Sequence, residues 1–181
     1  TVTGITADKT YDGTTAATLN TTAAVISGMV NGETAPSLVT TGVTATFNSK
    51  DVATANTVTV TGLAVDSTNY ILTQPTISAG IAKADPTILV TPYTSASVTY
   101  TGTSNTATGT ATGVQSESLS GLDLSGTAHT NAGTYTDTWT FIDTTGNYNN
   151  ASGTVVDSIA KAALTVTGIT ADKTYDGTTA A

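Results

Sequence analysis

Apolar and polar residues alternate with a period of two in the clearest stretches of this chain. Val58 and Val60 alternate with Thr57, Thr59 and Thr61, the pattern of a strand with one face in a core and the other in water. The same alternation sets Tyr135, Asp137, Trp139 and Phe141 opposite Thr134, Thr136, Thr138 and Thr140, and it predicts that this strand carries the core of its region. Shorter runs predict strands at Val2 to Thr6, Thr14 to Leu19, Thr22 to Ile26, Leu38 to Phe47, Thr57 to Val65, Tyr70 to Thr73 and Ile77 to Ala82. Beyond these they fall at Ile88 to Val90, Val98 to Tyr100, Thr106 to Thr112, Leu119 to Leu124, Tyr135 to Ile142 and Thr154 to Ile159. Turn residues stand between them: Tyr11-Asp12-Gly13, Asn31-Gly32 and the Asn48 to Asp51 cluster. Short strands at a spacing of about ten residues, joined by turns, read as antiparallel β-sandwiches.

The pattern repeats. Residues 1–17 read TVTGITADKTYDGTTAA, and residues 165–181 read the same. An identical run at both ends predicts a window on a tandem array a little over one repeat long. A shorter period lies inside it. Ile81-Ala82-Lys83-Ala84 returns as Ile159-Ala160-Lys161-Ala162, and Asn69-Tyr70 returns as Asn147-Tyr148 at the same distance before it. Each Asn-Tyr pair follows an acidic turn, at Asp66 and at Asp143. Tyr11-Asp12-Gly13 and Tyr100-Thr101-Gly102 hold matching places near the two module starts. The expected organisation is a module over 1–84, a related module over 85–162, and the start of a third over 163–181. That last piece has no partner strands of its own and is expected to dock on the second module or on another chain.

Composition narrows the class. Thr is roughly a quarter of the chain and Gly is frequent, which favours strands and tight turns, so the fold class is all-β. The net charge of -8 arises from scarce Lys and Arg, and it makes nucleic acid and anionic membrane poor partners. No apolar run is long enough to span a bilayer. Cysteine is absent. Cysteine-free, Thr-rich and Lys-poor β-domains fit exported bacterial surface proteins.

The stretches ADKTYDGTTAA, DVATANTVTVTGL and NYILTQPTISAGIAKA resemble the YDG repeat of large bacterial surface and filamentous-haemagglutinin-like proteins. VTYTGTSNTATGTATG and LSGLDLSGTAHTNAGTYTDTWTFIDTTGNYNNASGTVVDSIAKA are similar to the bacterial Ig-like, MBG-type repeats that accompany it. The resemblance implies tandem Ig-like antiparallel β-sandwiches in an elongated repeat array, at the bacterial cell surface. It supplies no catalytic residues.

Candidate chemistry is sparse. Tyr11 and Tyr100 could be sugar-stacking platforms, but a Tyr packed over a sandwich end, with Gly13 or Gly102 at positive φ, is the simpler reading. Thr101 in the place of Asp12 argues against a metal or catalytic duty there. Calcium is the one cofactor to weigh, with Asp66, Asn69, Asp143 and Asn147 as oxygen donors, although none follows a spaced binding loop. Asp137 falls on an apolar face. It either takes part in a cross-link to Lys83 or Lys161, or accepts hydrogen bonds from a loop or the Tyr100 hydroxyl. His129 reads as a loop histidine; with one His and no Cys, neither a triad nor a zinc site is expected. The Thr134 to Thr140 row also fits an ice-binding face, but no repeated short register supports it.

The expected function is therefore not enzymatic: a stalk, spacer or fibre-building repeat of an adhesin, with IAKA junctions that leave little slack between modules. Partners are neighbouring repeats of the same chain or identical chains. Two alternatives stand beside it. A glycan- or mucin-binding module would expose a cluster of aromatics, whereas a spacer would bury Trp139, Tyr70 and Tyr148. A self-assembling filament would join chains by strand addition of the terminal TVTGITADKTYDG run.

Overall fold

The computed structural model describes residues 1–180. The final residue of the second TVTGITADKTYDGTTAA run, Ala181, lies outside the described residues. Nine strands belong to residues 1–84: β1 (Val2–Thr3), β2 (Lys9–Thr10), β3 (Val25–Ile26), β4 (Leu38–Val39), β5 (Thr44–Phe47), β6 (Thr57–Thr61), β7 (Ala64–Val65), β8 (Thr76–Ser78) and β9 (Ile81–Ala82). Five follow: β10 (Thr87–Thr91), β11 (Thr108–Thr112), β12 (Leu122–Asp123), β13 (Gly133–Phe141) and β14 (Ala151–Ile159). A 3-10 turn at Ser125–Thr127 is the one helical element among the described residues, and the fold is all-β.

The strands form small, unclosed sheets. In the first segment β5-β6-β8 makes a three-stranded antiparallel sheet, and β1-β3, β4-β7 and β2-β9 are pairs. In the second, β12-β13-β14 is three-stranded and β10-β11 is a pair. Every ladder stays inside one segment, and the bridge Ala84↔Tyr148 links the two.

Strand alternation holds where the period was clearest. Val58 and Val60 in β6 are 0% and 1% exposed, with Thr59 and Thr61 on the open face, and each such valine contributes about 1.5–3 kcal/mol by leaving water. In β13 all four threonines face solvent and Phe141 is fully buried. Elsewhere the expectations were too long. Leu38 to Phe47 breaks into β4 and β5 across a turn with Gly42 at φ +76°, a conformation glycine reaches at no steric cost. Thr14 to Leu19 makes one bridge, Ala16↔Thr46, and Val98 to Tyr100 makes one, Thr99↔Ala160. Tyr70 to Thr73 forms no strand.

The expectation of purely antiparallel pairing is corrected. β2 runs parallel to β9, with Lys9 N donating to Gly80 O and Tyr11 N to Ala82 O. Period-two patterning specifies which face a residue takes but says nothing of the direction of the partner strand.

One apolar cluster runs through both segments, from Phe47, Val58, Val60 and Leu63 to Ala111, Phe141 and Tyr148. Residues 163–180 form no strand and are exposed throughout, so the expected docking on the second segment does not occur.

Candidate functional site

The YDG turn is built around one lysine. Lys9 Nζ donates to Asp12 Oδ1 at 2.7 Å, Thr14 O at 2.9 Å and Ala16 O at 2.7 Å. Asp12 Oδ1 also accepts from Thr14 N and Oγ1. Burial works against the Asp12 charge, yet Lys9 and the Thr14 donors hold its carboxyl below the usual carboxylate range. The turn closes through Gly13 at φ +77° and presents Tyr11, 9% exposed, at the end of the first segment. The second copy makes the same knot: Lys173 Nζ donates to Asp176 Oδ1, Thr178 Oγ1 and Ala180 O. The turn is thus local in origin. Its tyrosine is not buried locally, since Tyr175 in that copy is 93% exposed.

Tyr11 is covered by Tyr148 of the second segment. The rings meet edge to face with centroids 5.4 Å apart at 78°, and Tyr148 is 1% exposed. An edge-to-face pair is worth roughly 0.5–1.5 kcal/mol beyond area burial. Tyr148 is held from both ends. Its backbone N donates to Asp143 Oδ2, whose Oδ1 accepts from Thr145 N and Oγ1. Its hydroxyl donates to the Glu117 carboxylate and accepts from Val114 N at 3.0 Å. Burial first, and the hydrogen bond to Glu117 second, push the Tyr148 hydroxyl up to about 12. The Tyr148 donor in turn holds Glu117 below its ordinary value. Gly113 is required beside them, because a Cβ there would run into the Glu117 carboxyl and the Tyr148 hydroxyl.

Asn147 locks the register of the two segments. Its Oδ1 accepts from Val52 N at 2.9 Å, its Nδ2 donates to Asp51 Oδ1 at 3.1 Å, and its carbonyl accepts from Ala84 N. Ala84 O accepts from Asn149 N, and Asn149 Nδ2 reaches Asp85 Oδ1 at 2.8 Å. Gln115 Nε2 donates to Asp12 O and fills the open side of Gly13. Asn147 is 6% exposed, and its amide oxygen, amide nitrogen and carbonyl oxygen all have partners, as burial demands.

Of the residues predicted from sequence, the structure brings Tyr11, Asp12, Gly13, Asn147 and Tyr148 into this one junction and places the others elsewhere. Among the oxygen donors weighed for calcium, Asp143 and Asn147 direct their oxygens to the protein donors above, and Asp66 and Asn69 are exposed. Tyr70 is half-buried, with its hydroxyl on Glu33 and Val30 N. Tyr100 is 42% exposed beside Gly102. Trp139 is half-buried over Gly153, so the centre of the second segment is Phe141 and Tyr148 rather than the tryptophan.

Asp137 accepts from His129 Nε2 at 2.9 Å, and the His129 ring stacks on Tyr135 at 3.6 Å. The loop-donor reading holds, and the Tyr100 reading does not. Lys83 and Lys161 are exposed, and the ion-pair partner of that carboxylate is His129 rather than either lysine. Sequence reasoning missed the hydroxyl cradle. VNGE at 30–33 and VQSE at 114–117 each place a backbone N–H and a carboxylate three residues apart around a tyrosine oxygen, and that spacing was the available signal.

Residues 1–78 match the family model of the YDG domain. The YDG segment therefore carries the Lys9 knot and Tyr11, and its junction partner lies beyond the matched region. Searches of curated proteins and of solved structures gave no match.

Proposed function

We propose that the chain is a structural repeat of an exported bacterial surface protein, in which Ig-like sandwich modules over 1–84 and 85–162 stack as the stalk of an adhesin. The observation that carries this is the junction: a fully buried tyrosine and a satisfied asparagine join two segments whose strands otherwise pair only among themselves. A flexible linker would need neither. The YDG match, the lack of cysteine and the scarcity of basic residues support an extracellular setting. The role is mechanical and asks no catalysis of the chain. Small-angle scattering tests it: the chain should scatter as one particle of fixed shape, and Tyr148→Ala should broaden its distance distribution. Identical profiles would remove this contact from any role in setting module geometry.

Strand addition is a second reading, favoured by residues 163–180. They are exposed, lack a strand partner and, apart from Ala163 and Leu164, copy the sequence of residues 1–16. Removing residues 163–181 should abolish any self-association seen by size-exclusion chromatography. Unchanged association would contradict strand donation.

A further inference from the structure

The junction between the two segments has a second set of halves, one on each free end. On the YDG segment, Tyr70 sits in the same cradle as Tyr148: its hydroxyl donates to Glu33 and accepts from Val30 N at 3.0 Å, as that of Tyr148 does with Glu117 and Val114 N. On the other segment, Tyr100 is placed as Tyr11 is. Tyr100 N donates to Ala160 O at 2.9 Å, and Tyr11 N donates to Ala82 O at 2.8 Å, the matching alanines of the two IAKA runs. The glycines that follow, Gly13 and Gly102, share positive φ.

These halves differ from the formed junction in being uncovered. Tyr11 is 9% exposed and Tyr100 is 42%. Ala84 and Asn147 are buried, whereas Ala162 and Asn69 are exposed. Gln115 fills the space over Gly13, and nothing stands within 4 Å of the corresponding position over Gly102. A concavity lies at each free face. One is lined by Tyr100, Ala132, Lys161, Ala162 and Leu164, and the other includes Tyr70, Ile71 and Leu72.

The two faces also match in chemistry. In the formed junction Asp85 and Asn149 are hydrogen-bonded. Counting from the two IAKA runs and the two Asn-Tyr pairs, the same places at the free ends hold Ala163 and Ile71. A polar pair is replaced by an apolar pair on both sides at once. Ile71 is 97% exposed, so its side chain is open to a partner. The spacing agrees too, because Ala84 precedes Ile88 in β10 by as many residues as Ala162 precedes Val166, the copy of Val2 in β1.

We infer that the Tyr100 face and the Tyr70 face are complementary halves of a second junction, and that the occupant of the Tyr100 face is a YDG segment from a second copy of this unit. Tyr70 of that copy packs on Tyr100 as Tyr148 packs on Tyr11. Ala162 then takes the place of Ala84, with its N–H on the Asn69 carbonyl and its own carbonyl accepting from Ile71 N–H. The contact joins unlike faces, so each unit that it adds presents a fresh Tyr70 or Tyr100 face to the next. The inference rests on the spacer reading of the first junction and supplies its continuation.

A doubled chain tests it, with residues 1–164 followed directly by residues 1–181 and Tyr100→Phe in the second unit so that the first Tyr100 alone reports. Tyrosine nitration by tetranitromethane is read by mass spectrometry. Relative to the single 181-residue chain, nitration of Tyr100 should fall about five-fold, the ratio of 42% to 9% exposure. Tyr70→Ala in the second unit should restore it. Tyr100 reacting equally fast in the single and doubled chains, with Tyr11 protected in both, overturns this inference and leaves the first junction standing. Tyr11 reacting as fast as Tyr100 in the single chain overturns both.

Discussion

Replacing Tyr148 by Phe keeps the ring against Tyr11 and removes the hydroxyl alone. That oxygen donates to an ionised Glu117 and accepts from Val114 N, so its loss strands a carboxylate and a backbone donor together. A hydrogen bond to a charged group is worth about 1.5–3 kcal/mol, and Glu117 is half-buried, so water relieves part of the loss and the low end applies, ~1.5–2 kcal/mol. Tyr70→Phe provides an internal control: the cradle is the same but the tyrosine is more exposed, and the cost should be smaller. Urea unfolding at pH 7, followed by Trp139 fluorescence, measures both. The penalty is also pH-dependent. Glu117 is held below its ordinary 4.5 by the Tyr148 hydroxyl, so the stabilisation is present above that value and is lost as pH falls through the depressed one. Tyr148 is raised from 10.0 to about 12, chiefly by burial, so its contribution is complete below 10.0 and disappears as pH rises through about 12. The difference between wild type and Tyr148→Phe should therefore shrink in acid. A Tyr148→Phe cost within about 0.5 kcal/mol of zero, or equal to that of Tyr70→Phe, would refute the reasoning.

Three further outcomes are expected. A double-mutant cycle of Tyr11→Leu and Tyr148→Leu should give a coupling of about 1 kcal/mol, and strict additivity would mean that the rings do not meet in solution. Lys9→Met should cost about 2–3 kcal/mol by thermal or urea unfolding, because one ammonium closes the whole YDG turn, whereas Lys173→Met should leave stability unchanged; equal effects would show that residues 163–180 contribute to the packed structure. Asp157 is fully buried, with Oδ1 on Tyr93 N and Oδ2 unpartnered, and burial raises its carboxyl above the ordinary 3.8. Its contribution is greatest below 3.8 and is lost as pH rises through the raised value, so Asp157→Asn should stabilise the chain at pH 7 by on the order of 1 kcal/mol and flatten its acid-range pH profile, and a destabilised variant at pH 7 would contradict this.

Legibility followed locality. The Lys9 knot recurs in both copies of the YDG run because its donors and acceptors lie within seven residues of each other, and the Asp143 turn is equally short-range. Strand interiors were readable at β6 and β13, where valine or aromatics alternate with threonine. Strand ends were not, since short Thr- and Gly-rich runs carry little preference of their own and their pairing is decided by neighbours. Asp137 was visible as an oddity on an apolar face, but its partner His129 is brought to it by packing.

By itself, then, the sequence determined the all-β class, the YDG turn, the repeat and the equivalence of Tyr11 with Tyr100 and of Tyr70 with Tyr148. Tertiary structure alone decided which of those equivalent tyrosines are buried. Tyr11 and Tyr100 begin matching turns, yet one is 9% exposed and the other 42%, because only the first has a neighbouring segment seated on it. Burial is a property of what lies across a surface, and no local pattern encodes that.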